Sequence, residues 1–282
     1  MDSVKAESTA VVIPGLERSL TLVQITDMHL TGADERDTQR IREYAPGRTK
    51  HFTVFPGRSI EDVFESLLKY ADAQKADCVV LTGDILDFLT PRNTEALDCL
   101  LVRAGKRFFF VNGNHEHDGD DLWGDLLRPF TDMSTGCGIL EVGGVRLIGV
   151  DDSMNRVTPG QLEFLKEQIA DGKPCLLFMH IPLYEETLEE PTLKAWQGGL
   201  ILLGIPEVAH KKQTPGSMFF TPLPDQTTLE FCRVAGEAAN IYGVFAGHLH
   251  FTHAGALPSG HCQYVTGPGY ENGCREIRVV PG

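Results

Sequence analysis

The hydrophobic positions of the chain alternate between short continuous runs and longer segments with helical spacing. A short apolar run predicts a buried strand, and a period near 3.6 predicts a helix. Three runs come early, at residues 20–25 (LTLVQI), 78–81 (CVVL) and 107–111 (RFFFV). After a polar loop, Ser59 begins a helical segment with a capping-box partner at Asp62, and a second helical segment begins at Thr94. The order predicts a parallel βαβαβ core.

The second half of the chain continues the alternation with more turn signals. Residues 140–150 (LEVGGVRLIGV) predict two strands about Gly143-Gly144, a dipeptide that supplies the positive φ angles of a tight hairpin. Residues 158–172 begin with a Thr-Pro-x-Gln cap and end at a glycine, which predicts a helix. Further strands are predicted at 175–179, 241–246, 262–265 and 275–280, with a helix at about 228–239. We predict mixed sheets covered by helices, with parallel pairing early and antiparallel pairing late.

The composition is that of an ordinary globular protein, with 282 residues, 42% hydrophobic and 23% charged. Repeats, low-complexity tracts and Gly/Ser linkers are absent from the sequence, so we predict a single domain over residues 1–282 with its core at about 20–280. The formal net charge of −14 opposes polyanions at long range and disfavours unaided binding of nucleic acid.

Compartment and membrane signals are weak or lacking. The seven cysteines are odd in number and form no CxxC pair, which favours a reducing compartment over a disulfide framework. The first 20 residues lack the organisation of a signal peptide, and the sequence has no apolar run long enough to span a membrane. A cytoplasmic protein without a membrane span is therefore expected.

Polar side chains collect where the predicted strands end. In a parallel sheet, ligands gather beyond the carboxyl ends of the strands, so residues there converge although they are distant in sequence. Taken singly, most of these motifs are typical of turns or of hydrogen-bonded core histidines. Together they offer oxygen and nitrogen donors without a thiolate, which favours two divalent ions such as Mn, Fe or Zn over a structural zinc. The motifs are Asp27-x-His29, Gly83-Asp84-x-x-Asp87, Gly113-Asn114-His115-Glu116, His180 and Gly247-His248-x-His250.

The order ITDMHL, TGDILD, NGNHE, MH, AGHLH resembles the calcineurin-like metallophosphoesterases over about residues 20–280. The resemblance implies an α/β fold, a four-layer αββα sandwich of two mixed β-sheets flanked by helices, with a binuclear metal centre between the sheets. It implies that His115 is the acid for the leaving group and that Asp87 orients it. It also implies the metal ligands, which are Asp27, His29 and His250 for one ion, Asn114, His180 and His248 for the other, and Asp84 as the bridge.

The implied activity is hydrolysis of a phosphate ester by in-line attack of a metal-bridging hydroxide. Protein phosphatases of this family have Arg-Gly where this chain has Phe88-Leu89, so a phosphoprotein substrate is disfavoured. Lipid-A precursor hydrolases usually have Arg in place of His115. By elimination, we expect a phosphodiesterase acting on a small molecule. The alternatives are a phosphomonoesterase for a nucleotide or sugar phosphate, a nuclease, which the net charge disfavours, and a catalytically silent scaffold.

Two features carry no assigned chemistry. Residues 183–227, between His180 and His248, are longer than a simple connection needs and predict a cap that shapes the substrate site. A dimer contact of a homo-oligomer and a mere decoration are the open alternatives. Glu116 and His117 are expected to be exposed to solvent, with hydrogen bonding behind the metal ligands as the alternative.

Overall fold

A computed structural model describes residues 3–117, 126 and 136–282 of the chain. Strands and helices are numbered here in chain order. The described strands are β1 (Lys5–Ile13), β2 (Leu20–Ile25), β3 (Cys78–Thr82), β4 (Phe108–Val111), β5 (Cys137–Val142), β6 (Val145–Val150), β7 (Cys175–Phe178), β8 (Ile241–Ala246), β9 (His253–Ala256), β10 (Cys262–Val265) and β11 (Gly273–Pro281). The described helices are α1 (Gln39–Phe52), α2 (Ile60–Ala73), α3 (Pro91–Ala104), α4 (Pro159–Ile169), α5 (Glu186–Ala195), α6 (Glu207–His210) and α7 (Gln226–Glu237).

The described strands form two mixed sheets. The first has the order β1-β11-β2-β3-β4, in which β2, β3 and β4 run parallel and β11 runs antiparallel to β2. The second has the order β5-β6-β7-β8-β10-β9, with antiparallel pairs at its two edges. The predicted antiparallel pairing late in the chain is wrong for β8 and β10, which are parallel. The reason is that β9 turns back at the edge, so β10 returns in the direction of β8.

Three apolar layers hold the sheets and helices together. Leu22 and Val80 of the first sheet face Leu147 and Phe178 of the second in a core between the sheets. The α2 and α3 helices cover the outer face of the first sheet, whereas α4 and α7 cover the outer face of the second. The predicted four-layer αββα sandwich is confirmed, and it brings the carboxyl ends of strands from both sheets to one side.

Several elements depart from the sequence prediction. The predicted polar loop before Ser59 contains α1, whose helical pattern is interrupted by Pro46-Gly47. The α3 helix begins three residues before Thr94, because Thr90 caps it and Pro91 occupies its first position. The β1 strand was not predicted at all, since six of its nine residues are exposed.

Residues 183–227 contain α5, α6, irregular chain and the first two residues of α7. Leu188, Leu200 and Leu202 of this segment pack with Leu249 and Val265, which lie beside the end of β8 and in β10. The segment is thus packed against the same edge of the second sheet that carries the histidine motifs. Within the described part of the chain, none of the helices has the length and hydrophobicity needed to span a bilayer.

Candidate metal centre

The structure brings the seven predicted ligands to the adjoining carboxyl ends of five strands. Parallel neighbours within each sheet place these ends side by side, and the face-to-face sheets bring the two sets together. Asp27 and His29 follow β2, Asp84 follows β3, Asn114 follows β4, His180 follows β7, and His248 and His250 follow β8.

The local backbone at these strand ends is strained. Among the described residues, nine that are not glycine have a positive φ, and five of these are predicted metal ligands. Such a conformation costs an L-residue about 1–2 kcal/mol. Hydrogen bonds between the strand ends maintain it, from Asp27 N to Gly83 O at 3.0 Å and from His29 N to Asp84 O at 2.9 Å. The strained residues are Asp27, His29, Asp84, His248 and His250.

Glycines allow the strand ends to approach closely. Gly83 has a φ of +83°, and a Cβ there would lie 2.6 Å from the backbone of Gly113 and from Nδ1 of His180. A Cβ at Gly247 would collide with Thr26 and Asp27. Both positions therefore require glycine for the motifs to meet.

The first group of converging donors is formed by Asp27, His29 and His250. His250 Nε2 lies 3.3 Å from Asp27 Oδ1 and 3.4 Å from His29 Nε2. The other ring nitrogen of each histidine is engaged, because His29 Nδ1 lies 2.9 Å from Asp87 Oδ1 and His250 Nδ1 lies 3.3 Å from the Tyr270 hydroxyl. These contacts leave both Nε2 atoms facing a common point beside a carboxylate, the arrangement of metal-bound histidines.

The second group is formed by Asp84, His180 and His248. His180 Nε2 lies 3.2 Å from Asp84 Oδ2 and 3.1 Å from His248 Nδ1. His180 Nδ1 donates to the carbonyl of Thr82 at 2.8 Å, so Nε2 is the ring atom that faces Asp84 and His248. Asp84 Oδ2 also lies 3.9 Å from His29 Nε2, so this carboxylate stands between the two groups.

Two buried oxygens fit the binding of cations. Among the described residues, Asn114 Oδ1 and Asp27 Oδ1 have no hydrogen-bond donor although both atoms are buried. A buried acceptor without a partner costs free energy unless an ion or water satisfies it. With the neighbouring imidazoles and carboxylates, they form an oxygen-and-nitrogen donor set suited to two divalent ions.

The charges of the site also favour the binding of cations. Burial alone would raise the pKa of Asp27, but His250 and His180 lower it to about 2. Burial also opposes the ionisation of Asp84, yet His180 lowers its pKa well below the usual range. Burial alone would lower the pKa of His180, but Asp84 raises it above the usual range. A proton on His180 thus neutralises Asp84, and a bound cation would replace it. Burial and His180 lower the pKa of His248 to about 3, which keeps its lone pair available.

His115 and Asp87 lie beside the first group. His115 Nδ1 is 2.9 Å from the backbone carbonyl of Asp87 and 3.4 Å from its Oδ1. The Asp87 carboxylate makes its shortest contacts with His29 and with Arg48, whose Nε and Nη2 donate to it at 2.7 and 2.6 Å. His115 also belongs to a third group of donors, with His29 and Asp84, within 4.8 Å of one another.

Sequence reasoning missed three supporting residues. Arg48 comes from α1, and no motif marks it. Trp196 comes from the 183–227 segment, and its indole Nε1 donates to the carbonyl of Leu249 at 3.2 Å. Asp152 follows β6 and accepts hydrogen bonds from the backbone of His180 and Ile181. A polar residue after a predicted strand was the signal used elsewhere, and it would have found Asp152.

The expected exposure of Glu116 is wrong. Its side chain is buried, and its carboxylate accepts hydrogen bonds from the backbone of Asp84, Leu86 and Gly113 at 2.7–2.9 Å. Burial and the neighbouring Asp84 raise its pKa to about 7. The Glu116 carboxylate thus links the loop that carries Asp84 to the loop that carries Asn114 by hydrogen bonds. His117 is exposed, as expected, and its Nε2 lies 3.3 Å from Asp151.

The sequence of the chain is similar to a known protein family and to known proteins. A family model described as calcineurin-like phosphoesterase matches residues 20–251. An uncharacterised metallophosphoesterase of Campylobacter jejuni is 26% identical over 188 residues, which cover 63% of this chain and 42% of that protein. Another, of Helicobacter pylori, is 24% identical over 199 residues, covering 66% of this chain and 45% of that protein. The match therefore spans less than half the length of these relatives.

Solved structures show the same fold at low sequence identity. A dimetal phosphatase from Danio rerio superposes with a TM-score of 0.58 and 13% identity, covering 90% of this chain and 89% of that one. A purple acid phosphatase from yellow lupin seeds superposes with a TM-score of 0.54 and 14% identity, covering 92% of this chain and 46% of that one. At these identities the likeness establishes the fold.

Proposed function

The chain belongs to the calcineurin-like phosphoesterase family, and we propose that it hydrolyses a phosphodiester of a small molecule with the help of two divalent ions. The observation that carries the proposal is the pair of donor groups that meet at Asp84, together with the unsatisfied oxygen of Asn114. Asp27, His29 and His250 would hold one ion, Asn114, His180 and His248 the other, and Asp84 both.

The ions, when bound, would supply a water nucleophile active at neutral pH and positive charge for the phosphoryl oxygens. They would also reconcile phosphate binding with a net charge of −14, because they concentrate positive charge inside an acidic protein. The donor set suits Mn, Fe or Zn, and the proposal is for two divalent ions of this group.

His115 would provide the proton for the leaving group. Its Nδ1 faces the carbonyl of Asp87, which only accepts hydrogen bonds, so Nδ1 carries a proton in both charge states of the ring. The Nε2 atom is then the one that exchanges a proton with substrate. Asp87 would assist by holding the ring in place with its backbone, and by its carboxylate at 3.4 Å favouring the imidazolium.

A diester is preferred as the substrate on grounds of charge. A diester carries one negative charge near neutral pH, whereas a monoester carries up to two. Arg48, an arginine at the edge of the first donor group, donates its Nε and Nη2 to Asp87, so that face of its guanidinium is already engaged. The positions where protein phosphatases have Arg-Gly hold Phe88-Leu89. The less charged ester needs less neutralisation from such side chains.

The second candidate is a phosphomonoesterase for a nucleotide or sugar phosphate. The name of the Danio rerio neighbour, a dimetal phosphatase, favours it. The two candidates share the metal ligands and differ in the group that the phosphate carries.

The test compares kcat/KM for methyl p-nitrophenyl phosphate and p-nitrophenyl phosphate, which share one leaving group, with protein loaded with Mn²⁺. We expect the diester to be the better substrate. A monoester preference would overturn the diester proposal and keep the metal-dependent hydrolysis.

The role of His115 is tested with His115→Ala, and with His117→Ala as the matched control. General acid catalysis is typically worth about 10²- to 10⁴-fold. Because phenolate leaves less readily than p-nitrophenolate, His115→Ala should impair the hydrolysis of phenyl esters more than that of p-nitrophenyl esters. Equal losses for both esters would contradict the assignment, and so would an equal loss in His117→Ala.

A further inference from the structure

An aromatic surface adjoins the candidate metal centre, and it comes from the 183–227 segment. We propose that Trp196 and Phe219 form a subsite for an aromatic or other planar apolar organic group of the phosphate ester. The inference rests on the proposed function and adds to it the class of group that the substrate carries.

Trp196 is held against the histidine motif that follows β8. Its Nε1 donates to the carbonyl of Leu249, the residue between the two predicted ligands. The indole lies nearly parallel to the ring of His248, at 8° with centroids 6.4 Å apart, and edge-on to His250 at 5.5 Å. The indole thus flanks one ligand of each proposed metal ion.

Phe219 packs against Trp196 and enlarges this surface. Its ring meets Trp196 edge to face, with centroids 4.9 Å apart and planes at 77°. Gly199 lets the chain pass close by, because a Cβ there would lie 2.6 Å from the Cβ of Phe219. Trp196 and Phe219 are both half-buried residues, so part of each is open to a ligand.

The chemistry of the surface indicates the kind of group that it would bind. Indole and phenyl faces attract planar apolar groups by dispersion and by edge-to-face or stacked contacts, and they carry no charge to compete with the metal ions for phosphate. Val208, Met218, Phe220 and Leu223 of the same segment are exposed, so it presents apolar side chains to solvent beyond the two rings. A phosphate held at the ions would place its organic group within reach of this surface.

The test measures binding rather than turnover. Phenylphosphonate and methylphosphonate both present a phosphonate to the ions, and they differ only in the organic group. Titration calorimetry on Mn²⁺-loaded protein gives the ratio of the Kd of methylphosphonate to that of phenylphosphonate. We expect phenylphosphonate to bind more tightly to the wild type, by roughly 3- to 10-fold, as one aromatic contact provides.

Matched variants separate the aromatic face from the anchoring hydrogen bond. Trp196→Phe and Trp196→Leu both lose the hydrogen bond to Leu249, but only the leucine variant loses the ring. We expect Trp196→Leu and Phe219→Leu to bring the ratio toward one and Trp196→Phe to keep most of it. Phe220→Leu is the control, because Phe220 is exposed and its ring contacts His210 instead.

A ratio near one in the wild type would overturn the subsite. An equal loss of affinity for both phosphonates in Trp196→Leu would also overturn it, because that result would mean that Trp196 only supports the metal ligands. The proposed function is tested independently, by measuring the hydrolysis of methyl p-nitrophenyl phosphate in the same preparation. A retained ratio without hydrolysis would refute the phosphoesterase and leave the subsite standing.

Discussion

Replacing Arg48 with methionine should destabilise the protein, because Arg48 donates two hydrogen bonds to Asp87. Methionine keeps an apolar stem and removes the guanidinium. The Asp87 carboxylate is fully buried and would lose two hydrogen bonds, from Nε at 2.7 Å and from Nη2 at 2.6 Å. The contact with His29 Nδ1 at 2.9 Å would remain.

The magnitude follows from the burial of the pair. Removing one partner of a buried ion pair typically costs about 3–5 kcal/mol, because the other charge stays buried. The side chain of Arg48 is 25% exposed, so water would replace part of what is lost. We therefore expect the free energy of unfolding to fall by about 2–3 kcal/mol. For a chain of 282 residues, that is a decrease in Tm of roughly 3–5 °C.

The assay is thermal and urea unfolding of metal-free protein, which keeps ion binding out of the comparison. Arg42→Met is the control, because Arg42 is an exposed arginine of the same helix and its replacement should cost less than about 0.5 kcal/mol. A double-mutant cycle with Asp87→Asn should give a coupling free energy of about 1–3 kcal/mol. Additive effects in the cycle, or equal losses in Arg48→Met and Arg42→Met, would refute the reasoning.

Three further substitutions test the supports of the site. Glu116→Gln should lower the free energy of unfolding by about 1–3 kcal/mol in urea titrations, because the amide nitrogen cannot accept the backbone hydrogen bonds that the carboxylate accepts; an unchanged midpoint would contradict this. Gly83→Ala should abolish tight metal binding in calorimetry, since its Cβ would meet Gly113 and His180 at 2.6 Å, and wild-type affinity would show that the loops have room to move. Asn114→Ala should lower the affinity for one metal ion by about tenfold or more in calorimetry and leave the affinity for the other unchanged. An equal loss of affinity for both ions would argue against separate ligand sets.

The strand ends were predictable because their signals are local. An apolar run followed by Asp, Asn or His identifies both a buried strand and its exit, and the parallel order of the early strands predicts that the exits meet. The capping boxes at Ser59 and Thr158 appear in the structure as predicted, since a cap depends on residues three positions apart.

The residues that sequence reasoning missed depend on contacts between distant segments. Arg48 reaches Asp87 from a helix that carries proline and glycine, so neither the helix nor the contact has a local signal. Trp196 lies beside His248 only because the 183–227 segment packs on the second sheet. Glu116 was misplaced because a charged residue in a polar stretch is usually exposed, and here three backbone N–H groups from two loops surround its carboxylate.

The most direct test of a two-metal phosphoesterase is the initial rate of methyl p-nitrophenyl phosphate hydrolysis as Mn²⁺ is titrated into the metal-free protein. The account predicts no turnover in chelator and a rate that rises until about two ions are bound per chain. Turnover that persists in chelator, or that saturates with a single ion, would contradict it.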